Sequence, residues 1–395
     1  MALLAMLSSR YLPDVVALGV FWFLQSLAAI AFMFGPAARA KRVSPWTRRA
    51  LILIAWAASG GVVTLGFMFR FRRVANFLPS RWGNWVHGAA IMWALFAVLM
   101  IAAYAVAALV PRSQPEHSPG RRAFLQTAKA AVLTVPAAVV GYGAFVQRFQ
   151  LGLREQDIHI PGLPPDLAGL RIAQLTDIHL SPFLSVRELQ RAVDMANETR
   201  PDITLVTGDL ITGEDDPLDD CLHVLSRLRA ISGVFGCMGN HEIVAGSEHY
   251  TQVEGARLGL NFLRQQSVLL RFGAADLNLA GVDYQRSHKR YLRGAERLAV
   301  PGAFNVLLSH NPDVFPTAVR KGFPLTIAGH THGGQVRVEI LGQDLNVARF
   351  YTPYVDGLYR QDKAAVFVSR GIGTIGLPAR LGAPPEVALL KLCRT

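Results

Sequence analysis

Five short polar stretches in the second half of the chain hold residue types that bind divalent cations. They are Asp177-Ile178-His179, Gly208-Asp209, Gly239-Asn240-His241-Glu242, His310, and Gly329-His330-Thr331-His332. Carboxylate, imidazole and amide oxygen are hard-to-borderline ligands that suit manganese, iron or zinc, and sequence does not choose among these metals. Phosphate-ester hydrolysis by paired cations needs two ions roughly 3.5–4 Å apart, one bridging carboxylate and an open face. Seven ligands from five strand ends supply that set without cysteine, which argues against a structural zinc site. Taken singly the motifs are weak, since Asp-x-His also starts helices and a lone His310 reads as a satisfied core histidine. The ordered set of titratable groups at strand ends reads as a functional site.

The elements that must position these residues are legible in outline. RIAQLT, ITLVT, FNVLLS and LTIA are β-branched or apolar runs of buried-strand character, and each directly precedes one of the stretches. The less regular GVFGCM precedes GNHE. Ligand sites of α/β folds lie at such strand ends. IHIPGLPPDLAGL, residues 158–170, reads as an edge strand and turn before a first core strand at 171–176. Predicted helices at 186–198, 217–230, 247–258 and near 313–320 alternate with strands at 203–207, 268–271 and 277–282 and with the runs above. That alternation predicts α/β layers, with short strands and Gly/Pro turns from Gln335 onward.

In this order the five motifs resemble the calcineurin-like metallophosphoesterase family, over about residues 155–395. The runs GHTHGGQV (329–336) and VSRGIGTIGLPARLGAPPE (368–386) look like its membrane-linked branch of YkuE/YaeI-type phosphodiesterases. The resemblance implies a calcineurin-like αββα sandwich, a pair of packed β-sheets flanked by helices. It implies one metal on Asp177, His179 and His332, a second on Asn240, His310 and His330, and Asp209 bridging both. It gives His241 the task of protonating the leaving group or stabilising the transition state. Many family members carry Asp three residues after the bridging Asp. Here that position is Thr212, which sets any supporting role there in question and leaves the metal site itself intact.

Composition points to a second region. The chain has 395 residues, 51% of them hydrophobic, and a net charge of +12. Residues 1–150 carry 15 Lys and Arg against Asp14 and Glu116, a balance of +13, and 151–395 come to −1. The positive charge therefore flanks apolar segments, as in membrane topology, and no nucleic-acid binding is needed to explain it. Four spans are expected, at 11–35, 50–69, 86–110 and 127–147, ahead of a catalytic domain at 151–395. Gln25 is the one strongly polar residue of the first, and Ser59-Gly60-Gly61 in the second suits either close helix packing or mere tolerance. Arg121-Arg122-Ala123-Phe124-Leu125 before the fourth resembles a twin-arginine export signal placed internally, or else a basic cytoplasmic flank of an ordinary helix.

With the N-terminus outside, nine basic residues fall in inner loops, Arg39, Lys41, Arg42, Arg48, Arg49, Arg112, Arg121, Arg122 and Lys129. Five fall outside, Arg10, Arg70, Arg72, Arg73 and Arg81. The count favours both ends outside and a multi-pass cell-membrane protein whose catalytic half faces the periplasm or exterior, with RFRR (70–73) against it. Cys221, Cys237 and Cys393 form no metal-ligand spacing and no disulfide framework. The acidic run 214–220 reads as a solvated helix entry, and the basic cluster Arg286, His288, Lys289, Arg290 and Arg293 as plain surface or an anion-steering patch.

The primary functional reading is a membrane-anchored phosphoesterase, a phosphodiesterase on resemblance, that hydrolyses a phosphate ester with a metal-bridging hydroxide. One alternative is a pyrophosphatase for a lipid-linked or UDP-sugar-lipid substrate, similar to lipid A pathway enzymes of the superfamily, which would need a cytoplasmic catalytic domain. The other is a catalytically silent metal-binding sensor, which a complete ligand set disfavours.

Overall fold

The computed structural model describes residues 12–34, 44–68, 80–109, 118–285, 291–340 and 343–395. The chain divides into two compact units, residues 1–144 with 376–378, and residues 145–375 with 379–395.

The first unit is helical: α1 Leu12–Phe34, α2 Pro45–Met68, α3 Ser80–Leu109 and α4 Pro119–Phe145. Among the described residues, the helices spanning Pro45–Met68, Trp82–Leu109 and Pro119–Phe149 are long and apolar enough to cross a membrane, and Leu18–Met33 is a shorter apolar stretch. Some polar groups of these helices bond across from one helix to the next. Gln25 is buried, its amide donates to Trp56 O at 2.6 Å, and its carbonyl accepts from Ser59 Oγ at 2.7 Å. Gly60 seats the Trp22 ring, for a Cβ there would fall 2.0 Å from the ring edge, whereas Gly61 borders open space. The small-residue motif is thus a packing device at its middle position. Arg39, Lys41, Arg42, Arg112 and the RFRR stretch lie outside the described residues.

The second unit holds two mixed sheets. The first has strand order β1-β14-β2-β3-β4-β5, formed by Gly152–Ile160, Glu386–Arg394, Arg171–Leu175, Ile203–Thr207, Val234–Cys237 and Leu260–Phe262. The second has order β12-β13-β9-β8-β7-β6, formed by Gly357–Gln361, Ala364–Val368, Leu325–Ala328, Phe304–Leu308, Ala275–Gly281 and Gln266–Phe272. Ile172, Leu205 and Leu390 from one sheet and Leu279, Val306, Ile327 and Phe367 from the other share one buried cluster, so the sheets pack face to face. The outer face of the first sheet packs on α5 (Val186–Glu198) and α6 (Leu218–Leu225), and that of the second on α9 (Phe315–Arg320). The expected α/β sandwich is the observed one.

Local chemistry explains these elements. Ser185 and Glu188 form a capping box at the start of α5, whose Leu189, Ala192, Val193 and Ala196 bury one helical stripe. The helix expected over 217–230 stops at Leu225. Asn197 of α5 donates to Arg227 O at 2.9 Å and accepts from Arg229 N at 2.7 Å, holding the backbone groups that a longer helix would use. β14 was not foreseen as a core strand. It runs antiparallel to β2 and parallel to β1, completing the first sheet from the far end of the sequence.

Candidate metal centre

Asp177 and His179 follow β2, Asp209 follows β3, and α7 (Asn240–Ala245) begins just beyond β4. His310 follows β8, and His330 and His332 follow β9. Both sheets therefore deliver polar side chains to one edge of the sandwich. The backbone there is strained. Asp177, His179, Asp209, His330 and His332 have φ of 49°, 46°, 54°, 77° and 53°, a left-handed conformation that non-glycine residues rarely adopt. Two glycines of the motifs leave room for carboxylates. A Cβ on Gly239 would lie 2.1 Å from Asp209 Oδ1, and one on Gly329 would lie 2.3 Å from Asp177 Oδ2.

The candidate ligand atoms converge. His179 Nε2 is 3.1 Å from His332 Nε2 and 3.5 Å from Asp209 Oδ2. His332 Nε2 is 3.3 Å from Asp177 Oδ1, and His310 Nε2 is 3.0 Å from Asp209 Oδ2. Asp177 with His179 and His332 forms one group whose ligand atoms all lie within 4.8 Å, and Asp209 with His310 and His330 forms another. Asp209 with His179 and His241 forms a third, so His241 also stands within reach.

These residues fit divalent cations. His310 Nδ1 lies 2.7 Å from Thr207 O. A carbonyl only accepts, so Nδ1 carries a proton and Nε2 is turned toward carboxylate oxygen. This is the arrangement in which a ligating imidazole is held by a backbone carbonyl. His241 Nδ1 donates likewise to Thr212 O at 2.7 Å. The buried Asn240 Oδ1 has no hydrogen-bond partner among the described residues, so its lone pairs are free for an ion.

Burial sets the electrostatics. It pushes the Asp177 carboxyl up to about 6 and the His179 and His330 imidazoles down to about 3. Burial also lowers His332. For Asp209 burial acts upward, but the facing His310 and His241 outweigh it and hold the carboxyl well below its usual range. For His310 burial acts downward, and Asp209 with Asp177 outweighs it, raising the ring to about 10. His179, His330 and His332, held neutral beside buried carboxylates, are what cations require, and at His310 a cation would take the place of the ring's second proton.

Several supporting residues were missed or underrated by sequence. Glu242 is fully buried and accepts from Asp209 N at 2.9 Å, Leu210 N at 2.7 Å and Gly239 N at 2.7 Å, stapling two motifs together. Thr212 does support the site. Its Oγ1 lies 3.2 Å from His179 Nδ1 and its carbonyl holds His241, so the departure from Asp preserves an acceptor. Arg380 is fully buried, donates to Gly373 O, Arg370 O and Ala383 O, and lies 3.4 Å from His332 Nδ1. Only its place in the run 368–386 hinted at it. Tyr284 OH is 3.4 Å from His330 Nε2. In the acidic run, Asp216 accepts from Thr212 N and Gly213 N, both at 2.9 Å, so it shapes the loop. Arg286, His288, Lys289 and Arg290 lie outside the described residues.

The chain is similar to known proteins. Residues 170–334 match the family described as calcineurin-like phosphoesterase. The chain is 30% identical over 294 residues to the metallophosphoesterase YkuE of Bacillus subtilis, covering 70% of this chain and 98% of that one. It is 30% identical over 289 residues to the transmembrane protein with metallophosphoesterase domain of Bos taurus, covering 69% of this chain and 63% of that one. It is 28% identical over 277 residues to the phosphodiesterase YaeI of Escherichia coli, covering 69% of this chain and 98% of that one.

Proposed function

The chain belongs to the calcineurin-like phosphoesterase family and is a hydrolase of phosphoric esters; from that premise we propose a membrane-anchored phosphodiesterase with two divalent cations. Asp177, His179 and His332 would hold one ion, Asn240, His310 and His330 the other, and Asp209 would bridge them. The observation that carries this reading is the position of Asp209 Oδ2, 3.5 Å from His179 Nε2 and 3.0 Å from His310 Nε2. When bound, the ions would supply an activated water and neutralise phosphoryl charge.

The chain's own residues prepare the rest. The His241 main chain donates to Asp209 Oδ1 at 2.9 Å, which leaves Oδ2 for the ions. The His330 main chain donates to both Asp177 oxygens, at 2.9 and 3.0 Å, and fixes that carboxylate. His241, oriented by Thr212 O, would pass a proton to the departing alkoxide, a task suited to imidazole near neutral pH. Three apolar helices support a membrane anchor, and the transmembrane relative agrees with it. The arginine asymmetry supports a catalytic unit outside the cytoplasm.

The test is turnover by the purified full chain on a chromogenic phosphodiester, on the matching monoester and on a lipid pyrophosphate, with manganese, iron or zinc supplied in turn. Faster diester turnover supports the assignment. Turnover confined to the monoester would overturn the diesterase, and turnover confined to a lipid pyrophosphate would favour a pyrophosphatase. A reporter at the C-terminus checks the side of the membrane.

A further inference from the structure

Large apolar side chains are exposed beside the loops that carry the candidate metal ligands. Leu345, Val347, Phe350 and Tyr351 are 58%, 61%, 88% and 78% exposed. They lie on β11 (Gln343–Asn346), which pairs with β10 (Arg337–Ile340), and on the turn that follows it. The segment is built onto the ligand loop, since Asn346 Nδ2 donates to Gly333 O at 3.0 Å, next to His332. Its base is pinned by Arg337 and Arg349, which pair with Asp344 at 3.5 and 3.0 Å. Ile243 and Val244, just after His241, are also 41% and 42% exposed. A firmly held backbone that points large apolar groups outward is the pattern of a docking surface.

We propose that this apolar rim docks the catalytic unit onto the lipid bilayer, with Phe350 and Tyr351 inserted at the headgroup level. Two observations select lipid as the occupant. A membrane-length apolar stretch ends at Phe149 and β1 begins at Gly152, so the catalytic unit is leashed to the anchor by a very short connection. Such a tether raises the local concentration of bilayer at the rim without any further affinity. Aromatic and aliphatic groups on a polar body are also the chemistry that membrane interfaces take, to a depth of about 5–10 Å.

The experiment uses the full chain in vesicles of phosphatidylcholine and phosphatidylglycerol, with Cys393→Ser removing the half-buried thiol. An environment-sensitive fluorophore is placed through Phe350→Cys, in a second protein through Val347→Cys, and in a control through Ile231→Cys. Ile231 is 81% exposed and precedes β4, at the sheet end away from the ligands. Docking predicts blue-shifted emission at 350 and 347, quenched by doxyl-labelled phosphatidylcholine, and water-like emission at 231. Emission at 350 and 347 that matches 231 would overturn it. Shielding that resists lipid quenching and grows with the number of chains per vesicle would also overturn it, assigning the rim to a second copy. The readout involves no turnover, so its failure leaves the hydrolytic assignment standing.

Discussion

His310 turns one ring nitrogen to a carbonyl and the other to a carboxylate, with Nδ1 at 2.7 Å from Thr207 O and Nε2 at 3.0 Å from Asp209 Oδ2. The carbonyl fixes a proton on Nδ1, so a cation or second proton must stand between Nε2 and Asp209. Asp177 and Asp209 are themselves buried carboxylates in the same cluster. Uncompensated, such charges destabilise the fold. Chelation should therefore lower the thermal midpoint as well as activity. By mass action an ion present at a hundredfold its Kd contributes about 2.7 kcal/mol. Melting curves with and without chelator check this, and an unchanged midpoint would contradict a metal-holding core.

Thr212 holds two histidines with two different atoms, its hydroxyl at His179 and its carbonyl at His241. Thr212→Val removes only the first. Metal affinity should fall roughly 10–100-fold, as for other partners of ligating imidazoles, and Thr212→Ser should restore it. Metal titration followed by calorimetry decides. Equal affinities in the two variants would deny the hydroxyl a role.

Gly239 is required by crowding. Its φ of −93° is ordinary, but a Cβ would lie 2.1 Å from Asp209 Oδ1. Gly239→Ala should displace the Asp209 carboxylate and, if Asp209 bridges the ions as proposed, abolish diester turnover. Gly213→Ala, where the site is open, should be nearly silent. Parallel rates on one soluble diester make the comparison.

Arg380 presents a fork to Gly373 O, Arg370 O and Ala383 O in a fully buried place. Burial pulls the guanidinium down to about 10. Arg380→Met leaves these carbonyls without donors, which costs about 3 kcal/mol or more. Arg380→Lys should rescue little, because one ammonium cannot span the fork. Urea midpoints measure both.

Much of this was readable beforehand because it is local. Buried strands announce themselves as apolar runs, so the polar residues that end them stand out. What escaped depends on distant contacts. Glu242 looked like the tail of a motif, and two of its three backbone partners, Asp209 N and Leu210 N, belong to a distant segment that only folding brings to it. β14 enters the first sheet between β1 and β2, more than 200 residues from either in the sequence, so no local pattern could reveal it. The left-handed φ of Asp177, His179, Asp209, His330 and His332 is likewise invisible in residue type. Tertiary packing enforces it.

The most direct test of the account titrates manganese into metal-free full chain while recording both spin coupling and diester turnover, beside Asp209→Asn. A shared Asp209 predicts that the second ion brings a coupled signal and activity together, and that folded Asp209→Asn shows neither. Full turnover with one uncoupled ion, or an Asp209→Asn protein as active as the parent, would contradict the bridged pair.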